Sequence, residues 1–131
     1  VENDWKWLAA TKKLQEDTYG YVFEHNDPLV HPQIVSQYLD WNTTAAVQEL
    51  AEIREEFSWK PWATDSPFVN PIRVKQEIVD VMHFLGNMLV ACGVDDEEFW
   101  EAYRAKQEIN KQRQTSGNYS AKKGGLSEGS D

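Results

Sequence analysis

Glu49 and Glu52 in the stretch ELAE, and Glu77 and Asp80 in EIVD, form two pairs of carboxylates three residues apart. Side chains at i and i+3 share one face of a helix, so two such helices facing each other can gather four carboxylates around a shared cavity. Left to themselves the four repel and raise one another's pKa. An oxygen-only donor set of this kind suits Mg²⁺, with Mn²⁺ as an alternative, and Mg²⁺ commonly completes its shell with water and phosphate oxygens. A nucleotide polyphosphate is the natural guest. Glu56 extends the first pair into a stripe, which read alone is equally a solvated helix face. The second pair opens the run EIVDVMHFLGNML, where few positions are polar. A carboxylate buried there costs several kcal/mol unless it is paired or metal-bound, and a helix end emerging into water is the alternative.

Lys106, Asn110 and Arg113, at i, i+4 and i+7, place two cations and an amide on one helix face, suited to gripping phosphates or simply to salt bridging and solubility. His83, three residues after Asp80, raises a di-iron reading in which bundle helices supply Glu-x-x-His pairs. The chain has three histidines, and neither His25 nor His31 completes a second pair, so His83 reads as structural or as an interface residue.

The elements that must position these groups are helical. The five prolines stand at 28, 32, 61, 67 and 71, and between them apolar residues recur at helical spacing, which predicts an all-α, four-helix bundle-like fold. A first helix is expected over about Asp4 to Tyr19, with Trp5, Leu8 and Thr11 or Lys12 inward and Gly20 ending it. Pro32 can open a second helix, interrupted near DWNTT where Asn42 or Thr43 could recap the chain, and continuing to about Ser58. On it Ala46, Leu50, Ile53 and Phe57 form the expected core stripe. Asn70 and Pro71 start a third helix of about 22 residues and ~33 Å, stopped by Gly93. Its expected seam is Ile78, Val81, Met82, Leu85, Met88, Leu89 and Cys92. Asp95 with Glu98 fits a capping box opening a fourth helix that runs to about Gln114.

At 131 residues the chain suits one domain, expected over 1–117, with a tail over 118–131 flexible or ordered by ligand. A net charge of −9, from 13 Lys and Arg against 22 Asp and Glu, argues against broad nucleic-acid or anionic-membrane binding. A single cysteine, no long apolar span and an N-terminal VENDWKWLAATKK without signal-peptide order make cytoplasm the expectation. Six tryptophans and a third helix apolar almost all round suggest a homodimer, with a tetramer open.

Taken in order, ELAE, FSWKPW, EIVDVMHFL and KQEINKQRQTSGNY resemble the all-α nucleoside triphosphate pyrophosphatases, most closely the dimeric dUTPase branch rather than typical MazG, over about residues 45 to 119. Where residues match, the resemblance implies Mg²⁺ ligation by Glu49, Glu52, Glu77 and Asp80, with Glu52 as catalytic base. It implies phosphate or sugar binding by Lys106, Asn110 and Arg113, with Tyr119 closing over the ligand. In the tryptophan loop, Trp59 or Trp62 could stack on a base, with Lys60 near phosphate. LAATKKLQ is similar to a family segment whose glutamine reads the base, which points to Gln15. The chain is shorter than typical dimeric dUTPases, lacking most of the insertion before the last motif, and RQTSGNY is spaced differently from the usual ending. The expected reaction is Mg²⁺-dependent hydrolysis of a nucleotide such as dUTP or dCTP to monophosphate and pyrophosphate. The rival reading is a catalytically silent acidic bundle that binds a nucleotide or a protein.

Overall fold

The computed structural model describes residues 6–57, 62 and 70–117. Their regular elements are α1 (Trp7–Tyr19), a 3-10 turn (Phe23–His25), α2 (Pro32–Glu55), α3 (Pro71–Ala91) and α4 (Asp96–Ser116), with no strand among the described residues. The chain divides into two compact units, Val1–Asp95 and Asp96–Asp131. The predicted tail over 118–131 lies outside the described residues.

The helix ends follow local chemistry. Gly20 ends α1 with φ 74°, a left-handed conformation that costs glycine nothing, and its N–H bonds back to the Gln15 carbonyl. Asn70 caps α3: its side chain accepts from the backbone N–H groups of Ile72 at 3.1 Å and Arg73 at 3.3 Å, while Pro71 fills the first turn.

In α2 the expected interruption at DWNTT is absent. The Asn42 side chain does not recap the chain; it donates to the Tyr38 carbonyl one turn back at 2.8 Å and accepts from Asn87 Nδ2 at 2.8 Å. With its amide engaged inside the bundle, Asn42 has nothing left to offer a break.

In the first unit α3 packs against both α2 and α1. The α1 face is Trp7, Leu8 and Thr11, all buried; Trp5 lies outside the described residues. Helix α2 buries Val35, Tyr38, Asn42 and Ala46, so the expected stripe is fully buried only at Ala46, with Ile53 half-buried and Leu50 51% and Phe57 46% exposed. Helix α3 buries Val81, Gly86, Asn87 and Ala91, while Ile78, Leu85 and Cys92 of the expected seam are exposed. A hydrophobic cluster joins Phe23, Val35, Tyr38 and Ala91, flanked by Tyr21, Leu39 and Val90.

Gly86 sets how closely α1 approaches α3. A Cβ there would stand 2.9 Å from Thr11 Oγ1 and 3.0 Å from Trp7 Nε1, both on buried residues. Gly86→Val is therefore expected to destabilise the fold by about 1–3 kcal/mol through overpacking, seen as a lower urea midpoint.

The second unit is α4. It carries a ring cluster of Phe99, Trp100 and Tyr103, with centroids 5.1 to 6.1 Å apart, and buries no residue. No single helix among the described residues is long and apolar enough to cross a membrane.

Candidate active site

The two carboxylate pairs come from the helices that pack most extensively, Glu49 and Glu52 from α2, Glu77 and Asp80 from α3. Their fields meet. Burial is the main cause that holds the Glu49 carboxyl above its ordinary value of 4.5, and Glu52, Asp80 and Glu77 each push it further up. Glu77 is raised in the same way, by burial first and then by Glu56, Glu52 and Asp80, with Arg73 pulling the other way. Glu49 Oε1 and Glu77 Oε1 are both shut off from solvent with no hydrogen-bond partner among the described residues.

Glu56, the third member of the acidic stripe, whose charge also reaches Glu77, carries its own cation: Arg73 Nη2 lies 3.1 Å from Glu56 Oε2. Glu52 receives a long hydrogen bond of 3.5 Å from Gln48, its neighbour one turn back. His83 Nδ1 stands 4.0 Å from Asp80 Oδ1 on the exposed side of α3.

An all-oxygen donor set with two buried, unpaired oxygens and mutual repulsion fits a hard divalent cation. The oxygens do not yet converge: among the described residues no three His, Cys, Asp or Glu side chains are grouped closely enough to hold a metal ion. Three of the four are glutamates, whose rotamers give the reach needed to close on a cation.

The raised pKa values of Glu49 and Glu77 carry a sign for stability. Below 4.5 both states of the chain hold these protons; above it the unfolded chain releases them first, so the fold loses stability as pH rises through the raised values. In EDTA the melting temperature is expected to fall as pH climbs from 4.5 towards neutrality, and a Glu49→Gln, Glu77→Gln variant should flatten that fall. A wild-type midpoint rising over the same range contradicts the assignment.

Beside the carboxylates lies a cavity of about 550 Å³. Gln15 from α1, Tyr38, Trp41 and Asn42 from α2, and Asp80, His83, Phe84 and Asn87 from α3 contribute to its wall, as do Leu14, Tyr19 and Tyr21. Asp80 therefore belongs both to the carboxylate set and to the cavity. Tyr38 Oη donates to Gln15 Oε1 at 2.8 Å. Asn87 is only 5% exposed, and its Oδ1 is buried without a hydrogen-bond partner among the described residues.

The structure thus gathers Gln15, Glu49, Glu52, Glu77 and Asp80 around one region of the first unit. Trp62 is 72% exposed and is not among the residues lining the cavity, whereas Trp41 is. Lys60, Trp59 and Tyr119 lie outside the described residues. Lys106, Asn110 and Arg113 fall on α4, in the second unit, at the spacing that puts them on one face. Sequence reasoning missed Tyr38, Trp41, Asn42 and the cavity role of Asn87. The available signal was the polar Asn87 inside an apolar tract.

The dUTPase family matches residues 24–98, more than half of the 131-residue chain. Among curated proteins, the dCTP pyrophosphatase of Enterobacteria phage T4 is 39% identical to this chain over 46 residues, covering 35% of the chain. The chain spans only 27% of the length of that relative in this match. No solved structure matches.

Proposed function

The chain belongs to the dUTPase family, and on that premise we propose that it is a Mg²⁺-dependent nucleoside triphosphate pyrophosphohydrolase acting on a deoxynucleotide such as dUTP or dCTP. The observation that carries this reading is the position of Asp80, at once a member of the carboxylate set and a wall residue of a cavity large enough for a base and sugar.

In this reading Glu49, Glu52, Glu77 and Asp80 hold the cation, with Mn²⁺ an acceptable substitute. Mg²⁺ held there would supply positive charge to neutralise the triphosphate and would lower the pKa of an attacking water. Glu52 accepts the proton of that water as its oxygen attacks the α-phosphorus. The bond between the α-phosphorus and the bridging oxygen to the β-phosphorus breaks, and pyrophosphate leaves. Aromatic and amide groups of the cavity orient the base. Lys106, Asn110 and Arg113 are the phosphate-binding residues that the family resemblance implies, and α4 presents them on one face.

Leu50 on α2, Phe57 just past its end, and Ile78 and Leu85 on α3, all exposed, support a homodimer as the working species, with a tetramer the other closed form. The proposed cellular setting is the cytoplasm, in nucleotide-pool house-cleaning.

The bond cleaved is tested with isotopically labelled water. Label in the monophosphate supports attack at the α-phosphorus. Label in pyrophosphate, or binding of nucleotide with no cleavage at all, overturns the reaction and leaves the silent bundle.

A further inference from the structure

We propose that Tyr38 is a positioning residue that sets base selectivity, by holding the Gln15 amide in one orientation at the cavity wall. This rests on the nucleotide reading above and names what that cavity selects.

The Tyr38 hydroxyl donates to Gln15 Oε1 at 2.8 Å. That engages the amide oxygen and leaves the NH₂ as the group Gln15 presents to a ligand. The tyrosine is well fixed: it is 6% exposed, its ring stacks on Tyr21 at 4.0 Å and 13°, and Phe23 meets it edge-on at 5.9 Å. Burial, with Tyr21 adding to it, pushes its hydroxyl up to about 12, so it stays a proton donor throughout the physiological range.

A second amide on the same wall is held through the same residue. Asn42 Nδ2 donates to the Tyr38 carbonyl at 2.8 Å, and Asn42 Oδ1 accepts from Asn87 Nδ2 at 2.8 Å. Asn87 is thereby left with its Oδ1 buried and unpartnered among the described residues, an acceptor lacking a donor. The cavity offers one fixed donor, on Gln15, while the Asn87 acceptor is sealed within its wall.

Uracil and cytosine differ in this property. At positions 3 and 4 uracil carries a donor N–H and an acceptor oxygen, whereas cytosine carries an acceptor nitrogen and a donor amino group. A pocket whose amides are locked matches one order and leaves buried groups unpaired with the other, and a mismatch of that kind is where large discrimination arises. An amide free to rotate by 180° accepts either base.

The test compares kcat/KM for dUTP and dCTP in wild type and Tyr38→Phe, alongside binding of dUMP and dCMP by calorimetry. Tyr38→Phe is expected to shrink the ratio between the two bases at least about tenfold, lowering the preferred base and raising the other. Gln15→Glu keeps an acceptor for Tyr38 but has no NH₂ to offer, and is expected to shrink the ratio similarly without touching the core. A Tyr38→Phe protein that keeps the wild-type ratio, or that loses both bases by the same factor, overturns this inference and leaves the hydrolase reading standing. Selective monophosphate binding without cleavage, abolished in Tyr38→Phe, supports the inference and overturns the hydrolase reading. A wild type that neither cleaves nor binds selectively overturns both.

Discussion

Glu52→Gln is expected to lower kcat for pyrophosphate release by about 10²–10⁴-fold, the contribution of a well-placed general base. Glutamine keeps the shape of the side chain and one oxygen for a cation, yet cannot take up the proton of the attacking water. Glu56, one turn further on at the C-cap of α2, provides the contrast. It has its own cation in Arg73 at 3.1 Å, so Glu56→Gln should hold kcat within about an order of magnitude of wild type. The two variants differ only in which carboxylate of one stripe is removed. Steady-state kinetics at saturating Mg²⁺ separates them, and equal losses would show that stripe charge, and not Glu52 itself, matters.

The double variant Glu49→Gln, Asp80→Asn is expected to show two opposite effects. Pyrophosphate release should fall below detection, because one member of each carboxylate pair proposed to hold Mg²⁺ is gone. In EDTA, however, the same protein is expected to melt at a higher temperature than wild type. The reason is electrostatic: Glu49 is half-buried and Glu52, Asp80 and Glu77 each raise its pKa, so neutralising two of the four removes repulsion that the fold otherwise bears. Adding Mg²⁺ should raise the wild-type midpoint by linkage and leave the variant unmoved. Calorimetric melts with and without Mg²⁺ check both halves, and full activity in the double variant would sink the metal site.

Much of this fold is readable from residues whose effect is local. Gly20, Pro32, Asn70, Pro71 and Gly93 mark helix ends because their backbone chemistry acts on the nearest turn. Asn42 misleads for the opposite reason. Its preference for capping is a local tendency, and what overrides it is Asn87, 45 residues away, whose amide bonds it inside the bundle. Gly86 is equally silent in sequence, since its meaning is the room it leaves for Thr11 and Trp7 of another helix.

The candidate site divides along the same line. Glu49 with Glu52, and Glu77 with Asp80, are legible because i, i+3 spacing is a property of one helix. The cavity draws on α1, α2 and α3 at once, so Tyr38 and Trp41 look like ordinary buried or surface aromatics until the helices are packed. Leu50 and Phe57 show the limit of periodicity in another way. They belong to the expected apolar stripe, Leu50 on α2 and Phe57 just past its end, yet the fold leaves them half exposed, which a pattern along one helix does not disclose.

The central claim is that the four carboxylates hold Mg²⁺ for cleavage of a nucleoside triphosphate. Its most direct test is pyrophosphate release from dUTP and dCTP, measured with Mg²⁺, after addition of EDTA, and after restoring Mg²⁺ in excess. Release of monophosphate and pyrophosphate in equal amounts is expected with Mg²⁺, none in EDTA, and full recovery when Mg²⁺ is returned. Turnover that continues unchanged in EDTA, or no pyrophosphate from either nucleotide at any Mg²⁺ concentration, would contradict it.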